Sequence, residues 1–437
     1  MSATPKPSAW RVFTVSLPLI ISGLSSNFAI FADRIILSFY DPEMMAHVTT
    51  SSNFSWMFLF SLSGLAYISK VYVGQYNGAK QYHKTSHITW QLIFFSILSI
   101  IPFIIAYQLG PFLIPTAVQE HGLIYYQITM LFGFLWPMVS ALIGFFIGTY
   151  QSTIVMIALL ISNLMNIGLD FILIPQYGAA GAAWATVIAQ ITLTLIMMWM
   201  YFSPDNRKNY HTAKIKLDSK LLNQALRLGA PESALHFFEM AAWSTISGIL
   251  ASVSEEHMMM STLSQNIFIL FMFTYSELGN GVKLLASNYV GARSFNYIPQ
   301  LLLSAFKVHS CFVFGLLLLS VGNPDWILEC FSLNDISPVL KSQIILALSG
   351  LLVFLFLDGI AYILSNILCA YGDTMANMAI TTINMWVFLV IPTYISHTYL
   401  SAKPTVFPLI ILPFYGAIVT LSYFWRYQSA PIKELAY

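Results

Sequence analysis

Residues 163–190 read NLMNIGLDFILIPQYGAAGAAWATVIAQ. The stretch opens as an apolar helix, yet it carries Asn163, Asn166 and Asp170. These lie at i, i+3 and i+7 and therefore share one helix face. A carboxylate near the middle of a lipid-spanning helix costs about 2.5–3.5 kcal/mol even on the translocon scale. Such a group is retained where it faces a wet cavity or binds something. A break is expected at Pro175 and the GAAG turn at 178–181, with a second apolar run restarting at Ala182. A costly carboxylate on a polar helix face points to transport.

The rest of the chain fits that reading. Of 437 residues, 57% are hydrophobic and 8% charged, with a mean hydropathy of +0.73. Soluble domains carry about 25% charged residues, so the composition predicts an all-α integral membrane protein. Apolar runs fall near 12–38, 51–73, 88–108, 123–149, 154–174, 182–202, 230–250, 262–290, 302–321, 343–370, 376–400 and 406–426. Twelve spans use roughly 240 residues and leave no room for a sizeable soluble domain. The first span has no cleavage site before it and is expected to stay as a signal anchor. With the N-terminus in the cytoplasm, fifteen Lys and Arg fall inside and two, Lys341 and Lys403, outside; Arg34 and Lys283 lie within spans. That bias predicts a multi-pass inner-membrane protein with both termini cytoplasmic.

Residues 203–228 form the longest polar connection and are expected to link two six-helix lobes, 1–202 and 229–437. The halves resemble each other. Pro18 matches Pro231 and Gly78 matches Gly291; 231 less 18 and 291 less 78 are both 213. Later, Thr153 matches Thr374 and Asn163 matches Asn384, each 221 apart. An even number of spans per half gives repeats related by a pseudo-two-fold axis along the membrane normal.

Several motifs then occur in order: Pro18 followed by Asp33, VGQYNGA at 73–79, Asn166–Asp170, and GAAGAAWAT at 178–186. In the second half come GAPE at 229–232 leading to Glu239, FLDG at 356–359, and CAYGDT at 369–374. Over essentially the whole chain this set resembles the multidrug and toxic compound extrusion (MATE) family. It is most similar to the bacterial norfloxacin-exporter branch. The resemblance implies a two-lobed exporter that exchanges H⁺ or Na⁺ for organic, often cationic, drugs by alternating access. It also implies that Asp33, Asn166 and Asp170 form an N-lobe cation or proton site, and that Glu239 and Asp358 bind cation or drug in the C-lobe. Bending at Pro18 would accompany protonation and release.

The residues carry their own argument. Asp33 lies roughly 32 Å and Asp170 roughly 24 Å from the inner ends of their helices, so both sit in the outer half. Two nearby carboxylates repel, and the pair becomes a place to hold a proton. Against this, Asp33 could pair with Arg34, which departs from the small polar residue that branch leads one to expect. Glu239 and Asp358 could instead fix packing through interhelical hydrogen bonds. At Phe354, four residues before Asp358, the resemblance leads one to expect a tyrosine; its absence removes an oxygen that Na⁺ favours. His236, Glu277 and Lys283 are secondary candidates.

No P-loop, dinucleotide-binding glycine pattern, H-E-x-x-H or catalytic constellation occurs. A carrier is expected, not an enzyme, with no cofactor beyond the coupling ion and no metal beyond Na⁺. Nucleic acid is not expected as a partner, and the carrier is expected to be a monomer. Cys311, Cys330 and Cys369 show no paired spacing. The alternative is a lipid-linked oligosaccharide flippase of the same superfamily, which predicts a strongly cationic cavity. Two intramembrane bases against five acids (Asp33, Asp170, Glu239, Glu277 and Asp358) favour cationic cargo.

Overall fold

The computed structural model describes residues 6–320, 338–400 and 402–431. Their regular structure is helical throughout. Helix α1 is Ala9–Tyr40; α2 (Pro42–Tyr67) runs into α3 (Ser69–Gly78), and α4 (Tyr82–Leu98) into α5 (Ile100–Leu113). Next come α6 (Gln119–Leu131), α7 (Leu135–Gly148), α8 (Ser152–Tyr177), α9 (Ala179–Tyr201) and the short α10 (Pro204–Tyr210). The second half holds α11 (Ser219–Val253), α12 (Glu255–Gly291), α13 (Ile298–Ser320) and α14 (Pro338–Ala370). Helix α15 (Thr374–Met385) continues through a π-helical turn, Trp386–Val390, into α16 (Ile391–Thr398). A second π turn, Phe407–Ile411, opens α17 (Leu412–Ser429). Pro392 and Pro408 adjoin these turns; a proline lacks the N–H that the i→i−4 ladder needs, which favours a local change of register.

The spans follow from length and apolarity. Among the described residues nine helices, or ten counting a bent pair, are long and apolar enough to cross a bilayer. The bent pair is Thr116–Leu131 with Leu135–Gly148, turned by 50°. Pro137 in the first turn of α7 cannot donate back across that joint. Helices α11 and α12 have 35 and 37 residues, roughly 52 and 56 Å at 1.5 Å per residue. Their length suffices for spanning. Their polar load is what sets them apart: Glu232 and Glu239 in one, Glu277, Asn280 and Lys283 in the other. These two complete the twelve spans.

The break in the opening stretch differs from the expectation. Helix α8 runs through Pro175 to Tyr177, and α9 restarts at Ala179, not Ala182. Pro175 sits in the last turn, where one missing N–H does not unwind what precedes it. The chain turns on Gly178 alone, at φ +57 and ψ −131, a region open to glycine. Its N–H still bonds the Ile174 carbonyl at 2.8 Å.

The repeat is visible in the helix ends. Lys80 (φ 59) and Arg293 (φ 53) both take the left-handed conformation, 213 residues apart. Each is followed by an N–H bonding five residues back, Gln81 to Tyr76 and Ser294 to Tyr289. Tyr150 (φ 64) and Gly372 (φ 76) repeat the pattern. Here 372 less 150 is 222, and helix starts Ser152 and Thr374 also differ by 222, one more than the sequence match. The shared left-handed turn sets the register better than two identical threonines do.

The described residues form two compact units. One comprises Leu17–Phe237 with Ser287–Phe295. The other comprises the described residues within 1–16, 238–286 and 296–433. In the first unit the polar interval after α9 is strapped to α4 and is not a free loop. Trp90 Nε1 donates to the Thr212 carbonyl at 2.9 Å, and Gln91 Nε2 to that of Lys216 at 2.7 Å. The Asp218 N–H donates to Gln91 Oε1 at 2.8 Å. Asp218 then caps α11, accepting from the N–H groups of Lys220 and Leu221 at 3.1 Å each. Residues 219–228 are thus the start of the seventh helix.

The Leu221 N–H, and beyond it His87, holds the Asp218 carboxyl below its ordinary value of 3.8. A group depressed on folding stabilises the folded state above its unfolded pKa, and that contribution is lost as pH falls through the folded pKa. Asp218→Ala is therefore expected to lower the thermal midpoint at pH 7, while Asp218→Asn lowers it less because the amide oxygen still caps. The deficit of the Ala variant should persist to near pH 4 and shrink only below 3.8. A deficit that vanishes by pH 6 would contradict this.

Candidate functional site

In the first unit, α8 presents a polar face toward α1 and α9. Ser162, Asn166, Asp170 and Ile174 form its buried stripe. Asn163 Nδ2 donates to Ser25 Oγ at 2.8 Å and Ser26 Oγ at 3.2 Å, joining α8 to α1. Ser162 Oγ donates to the Ala189 carbonyl of α9 at 2.8 Å. Asp170 is fully buried. Both its carboxyl oxygens, Asn166 Nδ2 and Asp33 Oδ1 are buried without hydrogen-bond partners. Asp33 and Asp170 interact electrostatically, so the structure brings them together. Arg34, the alternative partner of Asp33, is exposed, and its charge also acts on Asp33.

Sequence reasoning missed Tyr125 of α6. It is buried, lies against Thr186 of α9 and feels both aspartates. In the sequence it is one of two adjacent tyrosines, beside Gln127 and Thr129, and nothing there singles it out. This cluster gathers carboxylate, amide and phenol oxygens in a dry setting, the donor set that a proton or a hard monovalent cation requires. Among the described residues no three His, Cys, Asp or Glu side chains gather as a transition-metal site would need. Pro18 lies inside α1, and its carbonyl accepts from Ser22 Oγ at 2.7 Å.

In the second unit Asp358 of α14 accepts a hydrogen bond from Tyr275 Oη of α12 at 2.5 Å. Glu239 of α11 is within electrostatic reach of Asp358, and the buried Tyr415 of α17 feels both acids. Phe354 is 1% exposed and packs against Phe268 and Tyr415. The hydroxyl absent from position 354 arrives from Tyr275 on another helix.

The secondary candidates lie on α11 and α12 and have interactions of their own. Glu277 accepts from Asn280 Nδ2 at 3.1 Å, one turn along α12. Lys283 is half-buried on the same helix. His236, in the first unit, sits where a side chain at Gly64 would meet it. Among the described residues Cys311 and Cys369 form no disulfide, and Cys330 lies outside them.

A family model described as MatE matches residues 18–172 and 233–395. The "Probable multidrug resistance protein NorM" of Streptococcus pneumoniae is 22% identical over 400 residues, covering 85% of this chain and 84% of that one. The "Multidrug resistance protein NorM" of Burkholderia vietnamiensis is 24% identical, covering 88% and 87%. The fold is shared with a solved structure described as the outward-facing conformation of a multidrug resistance MATE family transporter of the MOP superfamily. That match has a TM-score of 0.84 at 19% identity, over 98% of this chain and 97% of the other. With two matched segments spanning both sets of helices, this all-α, twelve-helix membrane protein belongs to the MatE family.

Proposed function

We propose that the chain is a multidrug efflux transporter: a secondary active antiporter that exports organic cations in exchange for H⁺ or Na⁺. Two lobes, residues 1–202 and 229–437, would alternate access around the connection 203–228, whose last ten residues open the seventh helix. Both termini would lie in the cytoplasm, with the protein in the inner membrane. The observation that carries the reading is Asp170, fully buried, with no hydrogen bond to either oxygen and Asp33 beside it. An anion so placed is strongly disfavoured unless a proton or cation joins it. Asp33, Asn166 and Asp170 are assigned that role. Glu239 and Asp358, ringed by Tyr275 and Tyr415, are assigned cation or substrate binding; aromatic faces around acids suit an organic cation. Names of the NorM relatives support the drug-export part.

The test is ethidium accumulation in cells lacking their own exporters. Expression of the chain should lower accumulation, and Asp358→Asn or Glu239→Gln should restore it to the level of empty cells. Membrane levels of these variants should match wild type. Unchanged accumulation on expressing wild type would refute drug export. Full protection by the double variant would remove the second acid cluster from the reading.

A further inference from the structure

His309 of α13 is 1% exposed and belongs to no motif singled out in the sequence. Its Nε2 donates to the Phe356 carbonyl at 3.1 Å, which assigns the tautomer and leaves Nδ1 as a lone pair. That Nδ1 is buried without a partner. The imidazole stacks on the Phe356 ring (centroids 5.9 Å, 15°) and meets the Tyr275 ring edge-on (5.8 Å, 78°). Its Cε1 edge fills the space at Gly359, where any β-carbon would collide with the ring. One side chain therefore touches residues 356 and 359, which flank Asp358, and also the tyrosine that donates to Asp358. The glycine of the FLDG motif is needed for this approach.

We propose that His309 is a positioning residue for the second-unit acid cluster, fixing the Asp358 backbone and the Tyr275 donor together. The importance of Asp358 rests on the proposed function, but the geometry does not. A polar histidine is a costly choice for a buried packing position, and its contacts converge on Asp358. Around that carboxyl stand Tyr275, Glu239 and Tyr415, from three other helices, with Tyr362 against the Tyr275 ring. Small displacements of the donor tyrosine would change how well the carboxylate is held.

Dicyclohexylcarbodiimide labelling of the full-length protein in detergent tests this without any transported substrate. The reagent attacks a protonated carboxyl, so a carboxylate that loses a donor is labelled faster. His309→Phe keeps the stacking and loses the donor; at pH 7.5 Asp358 should label at least about threefold faster, the order expected for one hydrogen bond. Asp170, in the other unit, should label at the wild-type rate. Tyr275→Phe should accelerate Asp358 as much, and the His309→Phe/Tyr275→Phe pair no further. His309→Gln, which retains an N–H, should restore part of the protection and serves if the Phe variant does not fold. Wild-type labelling of Asp358 in both His309 variants would overturn the proposal. Equal acceleration at Asp170 would also overturn it, since that marks general loosening. Export that does not depend on Asp358 would remove the second acid cluster from the proposed function and leave this result standing.

Discussion

Asp170→Asn is expected to reduce export by at least about tenfold, to the level of empty vesicles. The variant should fold as well as wild type or better. The reasoning joins two observations. Asp170 is fully buried with neither carboxyl oxygen hydrogen-bonded, so the native carboxylate is held at a cost. A neutral amide of the same shape removes that cost and the repulsion from Asp33. Function and stability should therefore move in opposite directions, as at sites where strain is retained for activity. Thermal unfolding in detergent and efflux from the same preparation would check both halves. A variant that unfolds early would identify Asp170 as a structural group, and one that exports normally would remove it from coupling.

Gly78→Ala and Gly291→Ala should be among the most damaging small substitutions in the first unit. A β-carbon there would fall on the carbonyl of Asn288, and one at Gly291 on that of Gln75. These four residues are the two repeats' matching positions, since 288 less 75 and 291 less 78 are both 213. Each glycine admits the other repeat's backbone. Asn77 Nδ2 donates to Asn288 Oδ1 at 2.8 Å, and Asn288 Nδ2 to the Gly148 carbonyl at 3.2 Å, so the contact is pinned. Backbone atoms cannot swing aside, and overpacking of about 1–3 kcal/mol or more is expected for either Gly78→Ala or Gly291→Ala. Gly168→Ala is the control: nothing lies within 4 Å of its added carbon, and a helical Gly→Ala change is worth about 0.5–1 kcal/mol in the favourable direction. Melting curves of the three variants should rank Gly168→Ala at or above wild type and the other two several degrees below. Equal midpoints would contradict the reading of the repeat.

Much of this architecture was legible because lipid imposes simple rules. Apolar runs of span length, a biased distribution of Lys and Arg, and glycine motifs repeated at fixed separation do not depend on tertiary detail. Asp33, Asn166 and Asp170 were legible for the same reason, since polar groups in such runs stand out. Less visible were partners that are ordinary residues in ordinary places. Tyr125 and Tyr275 look like two of 23 tyrosines; only packing against an acid distinguishes them. The substitution at Phe354 read as a lost ligand because a helix-face argument sees one helix at a time, while the hydroxyl came from another. Likewise Gly359 stands in the sequence as part of a motif, with no sign that a histidine fifty residues earlier occupies the space it leaves.

Ethidium efflux from proteoliposomes, with either a pH gradient or a Na⁺ gradient imposed alone, tests the central claim most directly. The account predicts efflux driven by the pH gradient in the wild type and none when Asp33 and Asp170 are both neutralised. Drive by Na⁺ alone would move the coupling to Glu239 and Asp358. Efflux at the wild-type rate with both aspartates replaced by asparagine would contradict the claim that this buried pair couples ion entry to export.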